Sequence, residues 1–173
     1  CRLLDPDSGE ILIDGKNLKE HNLNVYRDNI GFIPQESYLF SDTIENNIGF
    51  AIDNPTKALV EEFAKVADVH KNIVGFKDQY YTMVGERGVM LSGGQKQRIS
   101  IARALIKKPK ILIFDDSLSA LDTETEENIL RNIEKEIKQT TSIIITHRES
   151  SAKNAHAILH LNDGVITDFV RVQ

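Results

Sequence analysis

In 173 residues the chain has no tryptophan, four prolines and a single cysteine, and no purely apolar run is longer than the four residues Ile111 to Phe114. Runs that short cannot form a helix crossing a bilayer, which needs roughly 20 apolar residues. With Cys1 alone an internal disulfide is excluded, and one thiol fits a reducing compartment. Positive charge is also scarce. Lys and Arg total 21 against 26 Asp and Glu, and the net charge of −5 speaks against nucleic acid as a partner. Repeats and low-complexity linkers are absent. So is the phosphate-cradling pattern Gly-x-x-x-x-Gly-Lys-Ser/Thr, because Gly15-Lys16 is followed by Asn17. The remainder is one domain's length with enough apolar residues for a real core. No methionine opens the chain. Cys1-Arg2-Leu3-Leu4 reads as the last turn of a helix already under way, and we expect polypeptide upstream of it.

The pattern of elements is α/β. Asp5 to Gly9 is a turn, and Glu10 to Asp14 alternates up to the hairpin signal Asp14-Gly15. Ile30 to Ile33 is a short strand stopped by Pro34. Asn54-Pro55 is expected to cap a helix with Leu59, Phe63 and Val66 on one face. Gln95 to Lys108 is predicted helical, with basic residues in its last turn and Pro109 beyond. Ile111 to Phe114 and Ser142 to Ile145 read as fully buried strands. Between them Thr123 to Gln139 is an amphipathic helix with Ile129, Leu130, Ile133 and Ile137 inward. Ala157 to Leu161 and Val165 to Thr167 form a terminal hairpin around Asp163-Gly164. Strand–helix–strand units imply a parallel sheet with helices outside. The mostly helical stretch from Ser41 to Leu105 looks like an insertion. The expected layout is a sheet core in two pieces, 1–40 and 106–173, with a helical subdomain at 41–105.

The chemistry concentrates in two stretches. Leu91-Ser92-Gly93-Gly94-Gln95-Lys96-Gln97-Arg98 is a Ser/Gly-rich loop running into a helix, and thirteen residues further on Ile111 to Phe114 ends in Asp115-Asp116. Gly93 and Gly94 leave backbone N–H groups accessible, the helix start is positive, and Ser92 adds a hydroxyl, which together suit a phosphate. The plainer reading is an ordinary helix start capped by Ser92. Asp115 at a strand's carboxyl end can hold Mg²⁺ through water beside a triphosphate, or simply cap the next segment. His147, after the second buried strand, can reach the same edge and a γ-phosphate. Gln35, after Pro34, can offer its carbonyl to Mg²⁺ or be a solvated loop residue.

These stretches resemble the signature loop and Walker B strand of an ATP-binding cassette ATPase. The resemblance implies a P-loop NTPase (RecA-like) parallel-sheet core with an inserted helical subdomain, here N-terminally truncated, with ATP and Mg²⁺ as ligands. It implies Gln35, Asp116 and His147 as catalytic residues, with Asp115 and Gln35 toward the metal. Ser92, Gly93, Gly94 and Gln95 would contact nucleotide across a dimer. Ser119-Ala120-Leu121-Asp122 resembles the D-loop touching the partner's site, although Asp122 is also a plain helix N-cap. Leu39 to Ile48 and Val84-Gly85-Glu86-Arg87-Gly88 resemble the exporter-type subgroup, in which the Gln35–Asn47 surface would receive transmembrane domains. The implied localisation is the cytoplasmic face of a membrane, as part of an integral membrane transporter.

Two departures from the family pattern matter. The phosphate loop and its lysine are missing, so this segment should bind nucleotide poorly alone. The position after Asp115, usually the general-base Glu, is Asp116, shorter by one methylene or about 1.5 Å. A site with the shorter base should hydrolyse ATP slowly, and the resemblance implies that such an Asp marks one half of a heterodimeric exporter whose other site is competent. The alternatives are a soluble cassette ATPase of the DNA-repair or translation-factor kind and a hydrolytically impaired regulatory cassette. An ATPase assay on the complete chain separates them.

Overall fold

Three parallel strands organise the molecule. In the computed structural model, which describes residues 1–85, 89–136, 140–152 and 155–172, β3 (Ile30–Ile33), β4 (Ile111–Asp115) and β5 (Thr141–Ile145) form one sheet in that order. Ile30 faces Ile111 in the register, and Asp115 faces Ile145. Two antiparallel hairpins flank this sheet in sequence. The first is β1 (Leu12–Ile13) with β2 (Lys16–Asn17), and the second is β6 (Ala157–Asn162) with β7 (Val165–Arg171). Both turns carry positive φ at two successive residues, Asp14-Gly15 and Asp163-Gly164, the requirement of a primed hairpin turn.

Between β2 and β3 lies α1 (Leu23–Asp28). Between β3 and β4 run α2 (Ile44–Gly49), α3 (Lys57–Val66), α4 (His70–Val74) and α5 (Gly93–Leu105). α6 (Thr123–Glu136) connects β4 to β5, and the short α7 (Glu149–Ala152) follows β5. Each of the longer helices starts on a side-chain cap. Thr43 accepts from the Asn46 N–H at 3.0 Å, Thr56 from Leu59 at 3.3 Å and Ser92 from Gln95 at 3.2 Å. α5 packs against α2, α3 and β3, and it buries Ile99, Ile101, Ala102, Leu105 and the polar Gln97 and Ser100. The core is continuous from Ile44, Ile48 and Phe63 through α5 to Leu112, Phe114 and Ile129. Gly31 shows how tightly β3 is pressed into this layer. A Cβ there would lie 2.8 Å from Leu112 and 3.0 Å from the Ala104 carbonyl.

Four local expectations change. Cys1–Leu4 is not helical; the Arg27 guanidinium holds the Cys1 and Arg2 carbonyls at 3.3 and 3.1 Å. α3 is capped by Thr56 rather than Asn54, which sits at positive φ, while the Pro55 ring packs on Gly49. α5 begins at Gly93 and ends at Leu105, because the two glycines are its first turn. β5 is expected buried and is exposed, with Ile143 at 48% and Ile145 at 50%. β3, which also pairs with β4 alone, is covered by α5, whereas among the described residues β5 has close packing only with β4. In α6, Ile129 and Ile133 are buried and Leu130 is packed against the core, whereas Ile137 falls outside the described residues.

Candidate functional site

The carboxyl edge of the sheet gathers four of the residues singled out from the sequence. Asp115 closes β4 and is half-buried. Asp116 turns the chain with a φ of 46°, a left-handed conformation that Asp tolerates better than most residues. Its N–H donates to the Ile145 carbonyl of β5 at 3.0 Å. Gln35, two residues past β3 and 81 residues earlier in sequence, donates through Nε2 to Asp116 Oδ2 at 3.2 Å. Among the described residues the Gln35 side-chain carbonyl oxygen has no hydrogen-bond partner. His147 follows β5 by two residues and is exposed at the same end of the sheet. No hydrogen bond ties it to Asp115 or Asp116 among the described residues.

Ser92 and Gln95 form a reciprocal capping box at the start of α5. Ser92 Oγ accepts from the Gln95 N–H at 3.2 Å, and the Gln95 side chain accepts from the Ser92 N–H at 3.0 Å. The plainer cap reading of this motif is thus realised, and the Ser92 hydroxyl proton is still free to donate. A Cβ at Gly93 would meet nothing within 4 Å, so the loop faces open space. Gly94 lies against the loop after β4, with the Ala120 carbonyl and Leu121 Cδ2 both 3.6 Å from its would-be Cβ.

Asp122 caps α6, accepting from the Thr125 N–H at 2.9 Å and the Thr125 hydroxyl at 2.7 Å. Those two bonds, the backbone one first, hold its carboxyl below the ordinary range. The loop that carries it is fastened by a side chain the sequence reading did not single out. Arg148 donates to the Ser119 carbonyl at 2.7 Å, to the Leu121 carbonyl at 2.9 Å and to Glu126 Oε2 at 2.9 Å. Glu126 is 1% exposed and also accepts from Ser151 Oγ. Arg148 is the neighbour of His147, so this network joins the loop after β4 to the loop after β5. The only sequence signal was a carboxylate on the inward face of an amphipathic helix.

The two stretches Leu39–Ile48 and Val84 onward, far apart in sequence, meet. Thr43 bridges Met83, and the Val84 N–H donates to the Asp42 carbonyl at 3.0 Å. Residues 86–88 of the second stretch lie outside the described residues. Asn47 is buried and satisfied from four sides. It donates to the Phe40 and Thr43 carbonyls at 3.0 and 2.9 Å, and accepts from the Phe40 N–H at 2.8 Å and from Arg103 at 2.7 Å. Burial lowers the Arg103 pKa from its ordinary value. A cleft lined by Tyr38, Leu39, Val84, Met90, Leu91 and Lys96 opens beside this segment.

As a metal site the edge is incomplete. Among the described residues no group of three or more His, Cys, Asp or Glu could hold an ion unaided. One or two carboxylates with an amide carbonyl match the sparse protein share of a Mg²⁺ site completed by water and phosphate.

A parallel sheet with nucleotide-type side chains at its carboxyl edge, and a helical insertion leading into a Ser-Gly-Gly helix start, defines an α/β nucleotide-binding domain. Residues 1–119 match the family model described as ABC transporter, and the chain belongs to that family. It is 42% identical over 167 residues to ABC transporter B family member 1 of Arabidopsis thaliana, covering 96% of this chain and 13% of that protein. It is 48% identical over 159 residues to the multidrug resistance-like ATP-binding protein MdlA of Buchnera aphidicola, covering 91% of this chain and 27% of that protein. A solved bacterial Atm1-family ABC exporter with ATP bound superposes at a TM-score of 0.91 with 42% identity, over 97% of this chain and 30% of the other. The chain therefore spans less than a third of the length of each of these three proteins. No helix among the described residues is long and apolar enough to cross a membrane.

Proposed function

We propose that this chain is the ATP-binding and hydrolysing part of an exporter-type transporter. On this reading 1–40 and 106–173 form the ATP-binding core, and 41–105 is a helical subdomain bearing the signature loop. Two such domains close head to tail around two ATP molecules on the cytoplasmic face of a membrane. Gln35, Asp115, Asp116 and His147 serve one site; Ser92, Gly93, Gly94, Gln95 and Asp122 serve the site of the partner. The observation that carries the reading is the Gln35–Asp116 contact of 3.2 Å beside Asp115 at the sheet's carboxyl edge, in a chain of this family.

The chemistry follows from that contact. Water attacks the γ-phosphorus, the β–γ bridging oxygen departs with ADP, and Asp116 accepts the water's proton. Gln35 holds the receiving oxygen in place. Mg²⁺, held by Asp115 with the Gln35 side-chain carbonyl, would supply charge neutralisation at the phosphates. Ser92 and the first N–H groups of α5 would donate to the γ-phosphate from the opposite domain. The segment from Gln35 to Asn47, clamped to α5 and flanked by a cleft, suits the transmembrane domains as the place where closure is transmitted. The exposed Ile143–Ile145 edge of β5 is proposed to pair with a strand of the same polypeptide that leads into the phosphate loop lacking here.

Asp116 is the observation that favours a second reading. A general base is worth roughly 10²–10⁴ in rate, and one displaced by a methylene loses part of that. We infer an asymmetric pair in which the partner domain supplies the working base. In the complete transporter, Asp116→Asn should then change steady-state hydrolysis only modestly. Brisk activity of a homodimer that Asp116→Asn destroys would make Asp116 a working base instead. The primary test is Ser92→Arg in the complete transporter. ATPase activity should collapse by more than about a hundredfold while separate domains still bind nucleotide. Activity near wild type would remove Ser92 from the phosphate site.

A further inference from the structure

Gln97 sits in the second turn of α5 and is 2% exposed. A primary amide is rarely buried so deeply unless both of its ends are satisfied. Here both ends go to one loop. Gln97 Nε2 donates to the Pro34 carbonyl at 3.3 Å, and Gln97 Oε1 accepts from Ser37 Oγ. Pro34 and Ser37 bracket Gln35, the residue that holds Asp116 at 3.2 Å. The same helix grips the far end of that segment. Arg103 donates to the Tyr38 carbonyl at 2.9 Å and to the Asn47 carbonyl at 2.7 Å. The loop that presents Gln35 is therefore tied on both sides to the helix whose first turn is Ser92 to Gln95.

We propose that Gln97 is a positioning residue that locks the Gln35 loop to α5, so that a displacement of Gln35 at one ATP site moves Ser92, which serves the other site. The inference rests on the head-to-tail reading of Proposed function and deepens it. The physical basis is rigidity. An amide bonded to both flanks of Gln35 removes the loop's freedom to shift without the helix. Replacing it with an apolar side chain of similar size keeps the volume but leaves the Pro34 carbonyl and the Ser37 hydroxyl without that partner. Misplacement by about 1 Å is enough to slow such a reaction severely. Gln97 touches neither nucleotide nor the attacking water in this scheme; it acts through Gln35, whose loop it ties to α5.

The test is a double-mutant cycle on the steady-state ATPase of the complete transporter, with Gln97→Leu and Gln35→Ala made singly and together. The expected result is a loss of about tenfold in kcat for Gln97→Leu, with KM for ATP within about twofold of wild type. The double variant should be no slower than Gln35→Ala alone, because both changes remove the same positioned amide. If Gln97→Leu impairs folding, Ser37→Ala removes one of the two ties from the loop side. It should slow kcat about threefold and show the same non-additivity with Gln35→Ala. Wild-type kcat in the Gln97 and Ser37 variants overturns the inference. So does a Gln97→Leu loss that multiplies with that of Gln35→Ala, the mark of a side chain that only stabilises α5. A wild-type transporter with no Ser92-dependent ATPase would overturn the reading of the whole site, and this inference with it.

Discussion

β4 and β5 are composed alike and live differently. β4 reads Ile-Leu-Ile-Phe-Asp and β5 reads Thr-Ser-Ile-Ile-Ile. Leu112 and Phe114 of β4 are fully buried, whereas their register partners Ser142 and Ile144 are exposed and half-buried, and Ile143 and Ile145 on the other face are about half exposed. Pairing alone does not explain this, since β3 and β5 both pair with β4 only; β3 is buried because α5 packs on it, and among the described residues β5 packs closely only on β4. The hairpin of β6 and β7 continues the contrast, because every residue of β7 is exposed. The burial of a strand is thus a property of its neighbours. Composition says only that a strand is suited to the interior.

The contrast predicts where mutations hurt. Phe114→Ala removes a fully buried aromatic side chain from the central strand of the sheet and should cost about 3–5 kcal/mol, read as a large fall in the urea midpoint with an unchanged slope. A cost under about 1 kcal/mol would show that β4 is not the centre of the core. Arg148→Ala cuts the tie between the loop after β4 and the loop after β5, and leaves Glu126 buried without its cation. A loss of about 3 kcal/mol is expected, and Arg148→Lys should recover only part of it, since a single ammonium cannot span both carbonyls and the carboxylate. Equal stability of Arg148→Lys and wild type would reduce the network to a simple ion pair.

Ile143→Ala sharpens the comparison directly. In the 173-residue chain it should cost less than about 1 kcal/mol, and in the complete polypeptide about 2–4 kcal/mol if a further strand covers this edge. Equal costs in both would refute the proposed cover. The smallest effect concerns Asp122. Its folded pKa lies below its ordinary value, so its contribution is present above the unfolded-state pKa and is lost as pH falls through the folded one. Asp122→Asn should lower stability slightly at neutral pH and converge on wild type below about pH 4, flattening the acid limb of the profile. A profile that superposes on wild type throughout would deny the cap any coupling to its charge.

Much of this was legible in the residues. The hairpin turns at Asp14-Gly15 and Asp163-Gly164 need positive φ at two successive positions and contain residues that tolerate it. The Ser92 cap was legible as the plainer reading of its motif, whereas the helix start was placed at Gln95, two residues later than the Gly93 at which α5 begins. Asp115 and Asp116 were placed at a strand end by the apolar run before them. The family pattern pointed to Gln35 and His147. What misled was local too: Asn54-Pro55 looks like a helix start, yet Thr56 supplies the cap, and Pro55 instead packs against Gly49.

The amino-acid sequence by itself determined the order of strands and helices, the turns, the caps and the identity of the polar residues at strand ends, because these depend on neighbours a few positions away. Only the tertiary structure decided which of those residues meet. Gln35 reaches Asp116 across 81 positions, Gln97 reaches Pro34 across 63, and Arg148 reaches Glu126 across 22. No periodicity encodes such pairings, for they arise when strands settle side by side and a buried amide or carboxylate must find a partner out of reach of water. The same holds for β5, whose three isoleucines are written for an interior that its single neighbour in this structure does not provide.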